Sequence, residues 1–299
     1  MKGWLIYDRA QYERNEWFAN RLQSACAAFC EMKTVLVEEL RFGVAGNAPT
    51  FARAGTPLAP PDFAVVRTIF PLLSEMLERA GVRVFNRAAI SRSCNDKRLT
   101  YALASGAGVS ILPTVFFDKR FLDARSFVDI TFPCVLKSDS GHGGAEVFRV
   151  ESETELRACL ERIPTQGFLV QRLSTAVGRD LRVYLLGERI LAAVLRTSDG
   201  FYSNFTRGGR AERYPLSASE RCCVEAIVRR LPAAPDLIGI DFFPEQGGLI
   251  LNEIEDVVGT RMLYHTTELD AAALLAEHIR ASMAAKTETG GSECPTFSR

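Results

Sequence analysis

Histidine is scarce in this chain: three in 299 residues, with no H-E-x-x-H and no Cys/His cluster around His142, His265 or His278. A zinc centre is therefore not expected. Net charge is also missing, because 36 Lys+Arg stand against 36 Asp+Glu. That balance gives no global pull toward nucleic acid or an anionic membrane. No apolar run approaches the ~18–20 residues that span a bilayer; the longest, around 190–195, has the length of a strand. The eight cysteines include no C-x-x-C and read as reduced thiols of a cytoplasmic protein. Cys26 and Cys30 lie one helical turn apart and read as small buried apolar residues. There is no P-loop and no dinucleotide fingerprint. Residues 1–9 are charged too early for a signal peptide and read as a first strand. What is present is ordinary globular material, 47% hydrophobic and 24% charged. Wholesale disorder is excluded, and the length suits two compact domains or three small ones.

The first part of the chain alternates strand and helix. Residues 4–7, 34–37, 63–67 and 82–86 read as strands, 12–31 and 71–80 as helices, and 43–61 as a Gly/Ala/Pro-rich connector. This βαβ pattern favours a small parallel sheet covered by helices. From Asn95 the texture changes. A helix over 96–107 is capped by Asn95 or Asp96. Strands over 132–137 and 145–150 flank a glycine turn and make a hairpin. A helix over 153–163 follows. The last part holds paired strands over 180–186 and 189–197, a helix over 217–231, paired strands over 237–243 and 249–254, and a helix over 267–283. Residues 286–299 read as a loose polar tail.

Four features carry chemistry. Gly141, His142, Gly143 and Gly144 form a turn whose backbone N–H groups suit phosphate oxygens; a plain flexible hairpin is the other reading. Lys97 opens a helix, and Lys137 ends an apolar strand beside that turn, where a point charge neutralises phosphate. Glu253 and Glu255 are two apart on an apolar strand and share a face. Asp241 sits in the neighbouring strand, and the short turn makes the two antiparallel, so Asp241 and Glu253 face each other or sit diagonally. Three converging acids resist ionising unless a cation neutralises them, and hard oxygens on a rigid sheet are what Mg²⁺ takes. The flanking residues are too apolar for acids on a solvent-facing edge. Last, Arg182 and Arg196 fall on paired strands, with Asn204 and Arg207 in the next loop. Arginine forks suit carboxylate or phosphoryl groups.

Taken in order, these stretches resemble the ATP-grasp superfamily, and within it the RimK-like carboxylate–amine ligases, over about 64–279. The resemblance rests on Asn95-Asp96-Lys97 with Pro113-Thr114, the strand ending at Lys137 with Gly141–Gly144, Gly178-Arg179-Asp180-Leu181-Arg182-Val183, residues 204–209, Gly239-Ile240-Asp241, and Leu251-Asn252-Glu253-Ile254-Glu255 before Gly259. It implies an α/β and α+β fold of three domains. These are an N-terminal Rossmann-like pre-ATP-grasp domain (1–90), a central ATP-grasp domain with the glycine lid (91–167), a C-terminal ATP-grasp domain with the magnesium site (168–285), and a flexible tail (286–299).

Carried over by position, Lys97 and Lys137 contact phosphates and Gly141, His142, Gly143 and Gly144 form the lid. Gln171, Arg172 and Leu173 match the hinge that reads adenine, and Asp180 the ribose side. Tyr202, Ser203 and Asn204 match a nucleotide-contacting loop. Asp241, Glu253 and Glu255 match the ligands of Mg²⁺, for which Mn²⁺ substitutes. Arg196 and Arg207 are read as clamps on an acyl phosphate or substrate carboxylate, with Arg182 and Asn204 beside them, and Arg67 as a holder of the acceptor. The sequence departs from the pattern at Arg172, usually Glu, at Glu255, usually Asn, and at Asp256-Val257-Val258-Gly259, where Ser-Pro-Gly is usual.

The activity implied is ligation of a small-molecule or peptide carboxylate to an amine, with release of ADP and phosphate. A homo-oligomer is the family-level expectation, and neither nucleic acid nor membrane is a partner. A small-molecule kinase and a nucleotide-binding module without turnover are the rival readings.

Overall fold

The structure, a computed structural model, describes residues 1–141, 144–198 and 210–289. The chain divides into two compact units, Met1–Ala88 with Glu268–Arg299, and Ala89–Thr267.

In the first unit, β1 (Lys2–Tyr7) leads into α1 (Arg9–Cys26) and β2 (Glu31–Leu36). The Asp8 side chain caps α1 by accepting from Gln11 N at 2.8 Å, and Phe18, Ala19, Leu22 and Cys26 form its buried stripe. Next come β3 (Leu40–Ala45), β4 (Ala48–Arg53), β5 (Thr56–Pro57), β6 (Phe63–Val66), α2 (Pro71–Arg79) and β7 (Arg83–Phe85). Pro71 opens α2, and Gly81 follows its end at φ +83°, the asymmetry that proline and glycine impose on helix ends. The sheet order is β2-β1-β6-β7 with every pairing parallel, as the βαβ pattern implies.

The stretch 43–61, expected to be a connector, is instead mostly sheet: β3, β4 and β5 pair antiparallel. Gly46 and Asn47, at φ +58° and +65°, form the two-residue turn between β3 and β4 that matches strand twist. Phe51 then anchors this small sheet edge-to-face on Trp4, with ring centroids 5.9 Å apart.

The second unit begins with α3 (Ala88–Cys94), α4 (Lys97–Ala104), β8 (Ser110–Ile111) and β9 (Thr114–Asp118). It continues with β10 (Cys134–Ser138), β11 (Val147–Val150), α5 (Glu153–Leu160) and β12 (Gly167–Arg172). Strands β11-β10-β12-β9 make one antiparallel sheet. Its apolar face packs Leu136, Val150, Leu156, Phe168 and Phe127 into one cluster.

The second sheet is built from β13 (Arg179–Leu186), β14 (Arg189–Thr197), β15 (Arg210–Arg213), β16 (Leu237–Glu245) and β17 (Gly248–Glu255), with α6 (Ala218–Val228) and α7 (Arg261–Thr266) beside them. The order is β15-β14-β13-β16-β17-β8. Ser217 and Glu220 form a reciprocal capping box at the start of α6. Alternation sorts the sheet's faces: Leu181, Val183, Leu195, Ile240 and Ile254 enter the apolar cluster, and their neighbours point the other way.

The helix expected over 267–283 is displaced. Thr267 is extended at the end of α7, and the last helix runs Ala271–Thr289 with its first turn held by Asp270 Oδ1, which accepts from Ala272 N and Ala273 N at 3.1 and 3.2 Å. Among the described residues no helix is long and apolar enough to cross a membrane.

One tight approach links this scaffold to the acids. A Cβ on Gly239 would lie 2.5 Å from Val258 Cγ2, so the turn after β17 rests on bare backbone. Gly239→Ala is expected to destabilise the protein by about 1–3 kcal/mol through overpacking. A second change, Val258→Ala, should restore most of that loss, and urea unfolding of the two singles and the double checks the coupling.

Candidate active site

The register of the second sheet explains why its charged residues meet. Asp180 pairs with Arg196 across β13 and β14, Arg182 with Asp241 across β13 and β16, and Asp241 with Glu253 across β16 and β17. Cross-strand partners share a face, as do residues two apart. Asp180, Arg182, Arg196, Asp241, Glu253 and Glu255 are therefore carried on one face, opposite the apolar cluster. A bulge between Asp241 and Phe242 leaves Asn252 without a cross-strand partner, since Asp241 pairs with Glu253 and Phe242 with Leu251. Bulges re-aim side chains in this way next to functional sites.

Asp241, Glu253 and Glu255 bring one carboxylate oxygen each to within 4.8 Å of one another. Asp241 is buried at 1% exposure. Arg182 donates to it twice, Nε to Oδ1 at 2.7 Å and Nη2 to Oδ2 at 2.6 Å, and Arg196 Nη2 adds a third bond to Oδ2 at 2.7 Å. A carboxylate accepts about four hydrogen bonds, so roughly one lone pair of Asp241 is left for another ligand. Burial raises the Asp241 pKa, but the two guanidiniums outweigh it and hold the group down at about 2. Arg182 also reaches Glu255 Oε1 at 2.8 Å. Burial is the larger influence on Glu255, with Asp241 and Glu253 adding to it, and its pKa is raised despite Arg182. Glu253 is the least constrained of the three, with Lys97 Nζ 3.4 Å from its Oε2.

The two lysines come from the other side of the cleft. Asp96 caps α4 by accepting from Arg98 N at 2.8 Å, which fixes Lys97 at the first helical position. Lys97 Nζ donates to Gly141 O. Lys137, on β10, is buried among Gln171 Oε1 at 2.8 Å, Asn252 Oδ1 at 3.0 Å and the Phe243 ring at 5.5 Å. Burial lowers the Lys137 pKa to about 8, with Lys97 adding to the fall and Glu253 opposing it. Gly144 follows at φ +73°, a conformation that asks for glycine.

One cleft is lined by Lys97, Lys137, Gly141, Gly144, Asp180, Arg196, Asp241 and Glu253. Leu112, Val135, Ala176, Val177 and Phe243 add apolar lining to the same cleft, along with Gln171 and Arg172. Leu173 is half-buried next to them. Arg196, read from sequence as a clamp, and Arg182, read as a catalytic residue beside it, are both buried and tied to carboxylates; Arg196 also lines the cleft. Asp180, read as a ribose contact, is paired with Arg196 Nε at 2.8 Å. His142, Gly143, Tyr202, Ser203, Asn204 and Arg207 lie outside the described residues.

Sequence reading missed Asn252, Phe243 and Glu245. Glu245 Oε1 accepts from Ser174 Oγ at 2.7 Å and Thr175 N at 2.8 Å, fixing the turn after β12. Asn252 had one signal, a polar residue in an apolar strand beside Glu253, but only the bulge turns it toward Lys137.

A family model described as the RimK-like ATP-grasp domain matches residues 95–279. The chain belongs to the RimK-like ATP-grasp family. Among curated relatives, a probable alpha-L-glutamate ligase of Pasteurella multocida (strain Pm70) is 26% identical over 207 residues, covering 68% of this chain and 66% of that protein. Beta-citrylglutamate synthase B of Mus musculus is 26% identical over 298 residues, covering 93% of this chain and 76% of the synthase. The chain spans 62–66% of the length of the first curated relatives it matches.

A crystal structure of a RimK domain ATP-grasp protein from Sphaerobacter thermophilus DSM 20745 superposes with a TM-score of 0.70 at 20% identity, over 94% of this chain and all of that one. The architecture of this RimK-like protein is thus the ATP-grasp fold, and the family match contains every residue of the cleft named above.

Proposed function

We propose that this protein is an ATP-dependent, ADP-forming carboxylate–amine ligase. The observation that carries the reading is the convergence of Lys97 and Lys137 with Asp241 and Glu253 on one partly apolar cleft, with Glu255 grouped beside the two acids. In this reading the two sheets of the Ala89–Thr267 unit are the lobes that grip the nucleotide, with the change of lobe after β12 (Gly167–Arg172) rather than at the expected 167, because β12 pairs with β9 and β10, and Met1–Ala88 is the pre-ATP-grasp domain. The names of the relatives, ligase and synthase, favour ligation over phosphoryl transfer to a hydroxyl.

The donor set fits a hard divalent cation. It offers only oxygen, it is held on paired strands, and its charge is already balanced: Lys97, Lys137, Arg182 and Arg196 offset Asp180, Asp241, Glu253 and Glu255. A triphosphate entering that balanced set brings excess negative charge, which a cation such as Mg²⁺ or Mn²⁺ would offset. Asp241, Glu253 and Glu255 would hold it, and it would supply charge neutralisation at the phosphates.

The chemistry asks little covalent work of the protein. A substrate carboxylate oxygen attacks the γ-phosphorus, the bond to the β-phosphate oxygen breaks, and ADP leaves. An amine nitrogen then attacks the acyl carbon; the C–N bond forms, the acyl C–O bond breaks, phosphate leaves, and the nitrogen gives up one proton to the departing phosphate or to solvent. Lys97 and Lys137 orient and neutralise the phosphates. Arg196 meets charge developing in the cleft. Arg182, which does not line it, is a positioning residue acting through Asp241 and Glu255.

The relatives' names direct the first trials to an amino acid such as glutamate as the amine, with citrate among the acids. The seven described cysteines are all free thiols, in keeping with a cytoplasmic site of action, and the reading needs no nucleic acid or membrane. A magnesium-dependent ADP-release screen of carboxylate and amine pairs tests it. The expected result is one ADP and one amide formed per turnover; ADP release matched to a phosphorylated alcohol, with no amide, would overturn it.

A further inference from the structure

The ammonium of Lys137 is held by a chain of hydrogen bonds whose direction is set by two hydroxyls. Tyr101, buried on α4, donates its phenolic hydrogen to Asn252 O at 2.6 Å. Thr114, at the start of β9 and half-buried, donates to Leu112 O at 2.7 Å. A hydroxyl has one hydrogen and two lone pairs, so toward any further partner each of these oxygens can only accept. That partner is the same for both. Gln171 Nε2 donates to Tyr101 Oη at 3.1 Å and to Thr114 Oγ1 at 2.9 Å.

The amide of Gln171 is thereby oriented. Both hydrogens of its nitrogen are committed, and its oxygen accepts from Lys137 Nζ at 2.8 Å. Turned over, the amide would set its nitrogen against an ammonium, which has no lone pair to offer. Its oxygen would then face two hydroxyls whose hydrogens are already given to backbone carbonyls. Strand pairing makes the arrangement possible. Thr114 is the cross-strand partner of Gln171 on one side, and Val135, two residues before Lys137, is its partner on the other. Thr114, Gln171 and Lys137 therefore share a face of the sheet. Asn252 closes the ring: its backbone oxygen takes the hydrogen of Tyr101, and its side-chain oxygen accepts from Lys137 at 3.0 Å. Two of the three ammonium hydrogens are thus held on neutral acceptors, and one is left for a phosphate oxygen.

Resting on the nucleotide-dependent ligase reading above, we infer that Tyr101 and Thr114 are positioning residues for nucleotide binding, acting through the Gln171 amide to hold the Lys137 ammonium where it meets the phosphates. Neither is among the residues that line the cleft, so neither touches the nucleotide itself.

Calorimetric binding of a non-hydrolysable ATP analogue with Mg²⁺ to the full chain, at analogue concentrations up to the millimolar range, tests it. Thr114→Val keeps the side-chain shape and removes the hydroxyl, as Tyr101→Phe does on the other side. Each is expected to weaken the analogue by about 3- to 10-fold, the net worth of one hydrogen bond. Thr114→Ser, which restores the hydroxyl, should bind as wild type does. In a Lys137→Met background, adding Thr114→Val should cost less than about twofold, because the group it positions is gone. Thermal melts confirm that the variants are folded at the temperature of the titration. Thr114 is only half-buried, so Thr114→Val decides the matter even if Tyr101→Phe does not fold. Wild-type affinity in Thr114→Val, or a Thr114→Val loss undiminished in Lys137→Met, would overturn the inference while leaving the ligase reading intact. Failure of the wild-type chain to bind the analogue would overturn both.

Discussion

Asp241→Asn is expected to lose both activity and stability, whereas Glu253→Gln should lose activity alone. The contrast follows from their surroundings. Asp241 is the shared acceptor of Arg182 and Arg196, all three buried. Neutralising it leaves Arg182 with Glu255 and Arg196 with Asp180 as their remaining carboxylates, so two buried cations face two acids in place of three; losing one member of a buried ion pair costs up to about 3–5 kcal/mol. Glu253 is one-fifth exposed and has Lys97 at 3.4 Å, so its amide should fold normally. As a direct ligand in the proposed site it should still cost more than the roughly 10- to 100-fold typical of outer-shell partners. Urea unfolding together with magnesium-dependent ADP release separates the two variants. Equal stability of Asp241→Asn and wild type would mean that the arginines do not depend on that carboxylate.

Lys137→Met should lower kcat/KM for ATP by about 100- to 1,000-fold, the usual cost of removing one group that stabilises transition-state charge. Lys137 also sets a pH limit. Burial holds its pKa at about 8 in the nucleotide-free protein, below the ordinary lysine value, and a phosphate beside it raises that pKa. Nucleotide affinity should therefore be flat below pH 8. Above it, binding requires uptake of a proton, and affinity falls by up to about tenfold per pH unit until the raised pKa is reached. Lys137→Arg, charged at every pH used, should abolish the alkaline fall even if it binds less tightly overall. A fall that persists in Lys137→Arg would assign the proton to another group.

Much of this site was legible because strands obey a period of two. Glu253 and Glu255 had to share a face, and the Gln246-Gly247 turn made Asp241 their antiparallel neighbour. Lys137 was conspicuous as a charge ending an apolar strand. What the spacing could not show was the counter-charge. Arg182 and Arg196 carry no local sign that their partners are carboxylates 16 or more residues away, and a substrate clamp looks the same in one dimension. The bulge at Asp241/Phe242 was equally hidden, since nothing in Phe242-Phe243 announces it.

The reading of 43–61 as a connector had a different cause. Its alanines and prolines depress strand propensity, but Gly46-Asn47 is a hairpin turn pair, and the anchoring of Phe51 on Trp4 is tertiary. At the far end, one helix was read where Thr267 and Asp270 end one and begin another. Asp270 is a capping residue, and such a break was available to a reading that weighted caps above apolar periodicity.

The account turns on three carboxylates holding a divalent ion at the nucleotide's phosphates. Its most direct measurement is the binding of Mn²⁺, followed by electron paramagnetic resonance, to wild type and Glu253→Gln in the presence of a non-hydrolysable ATP analogue. Saturable binding to wild type, with affinity reduced by more than about tenfold in Glu253→Gln, is the expected result. Mn²⁺ affinity that is the same in both proteins, with the variant folded, would contradict it.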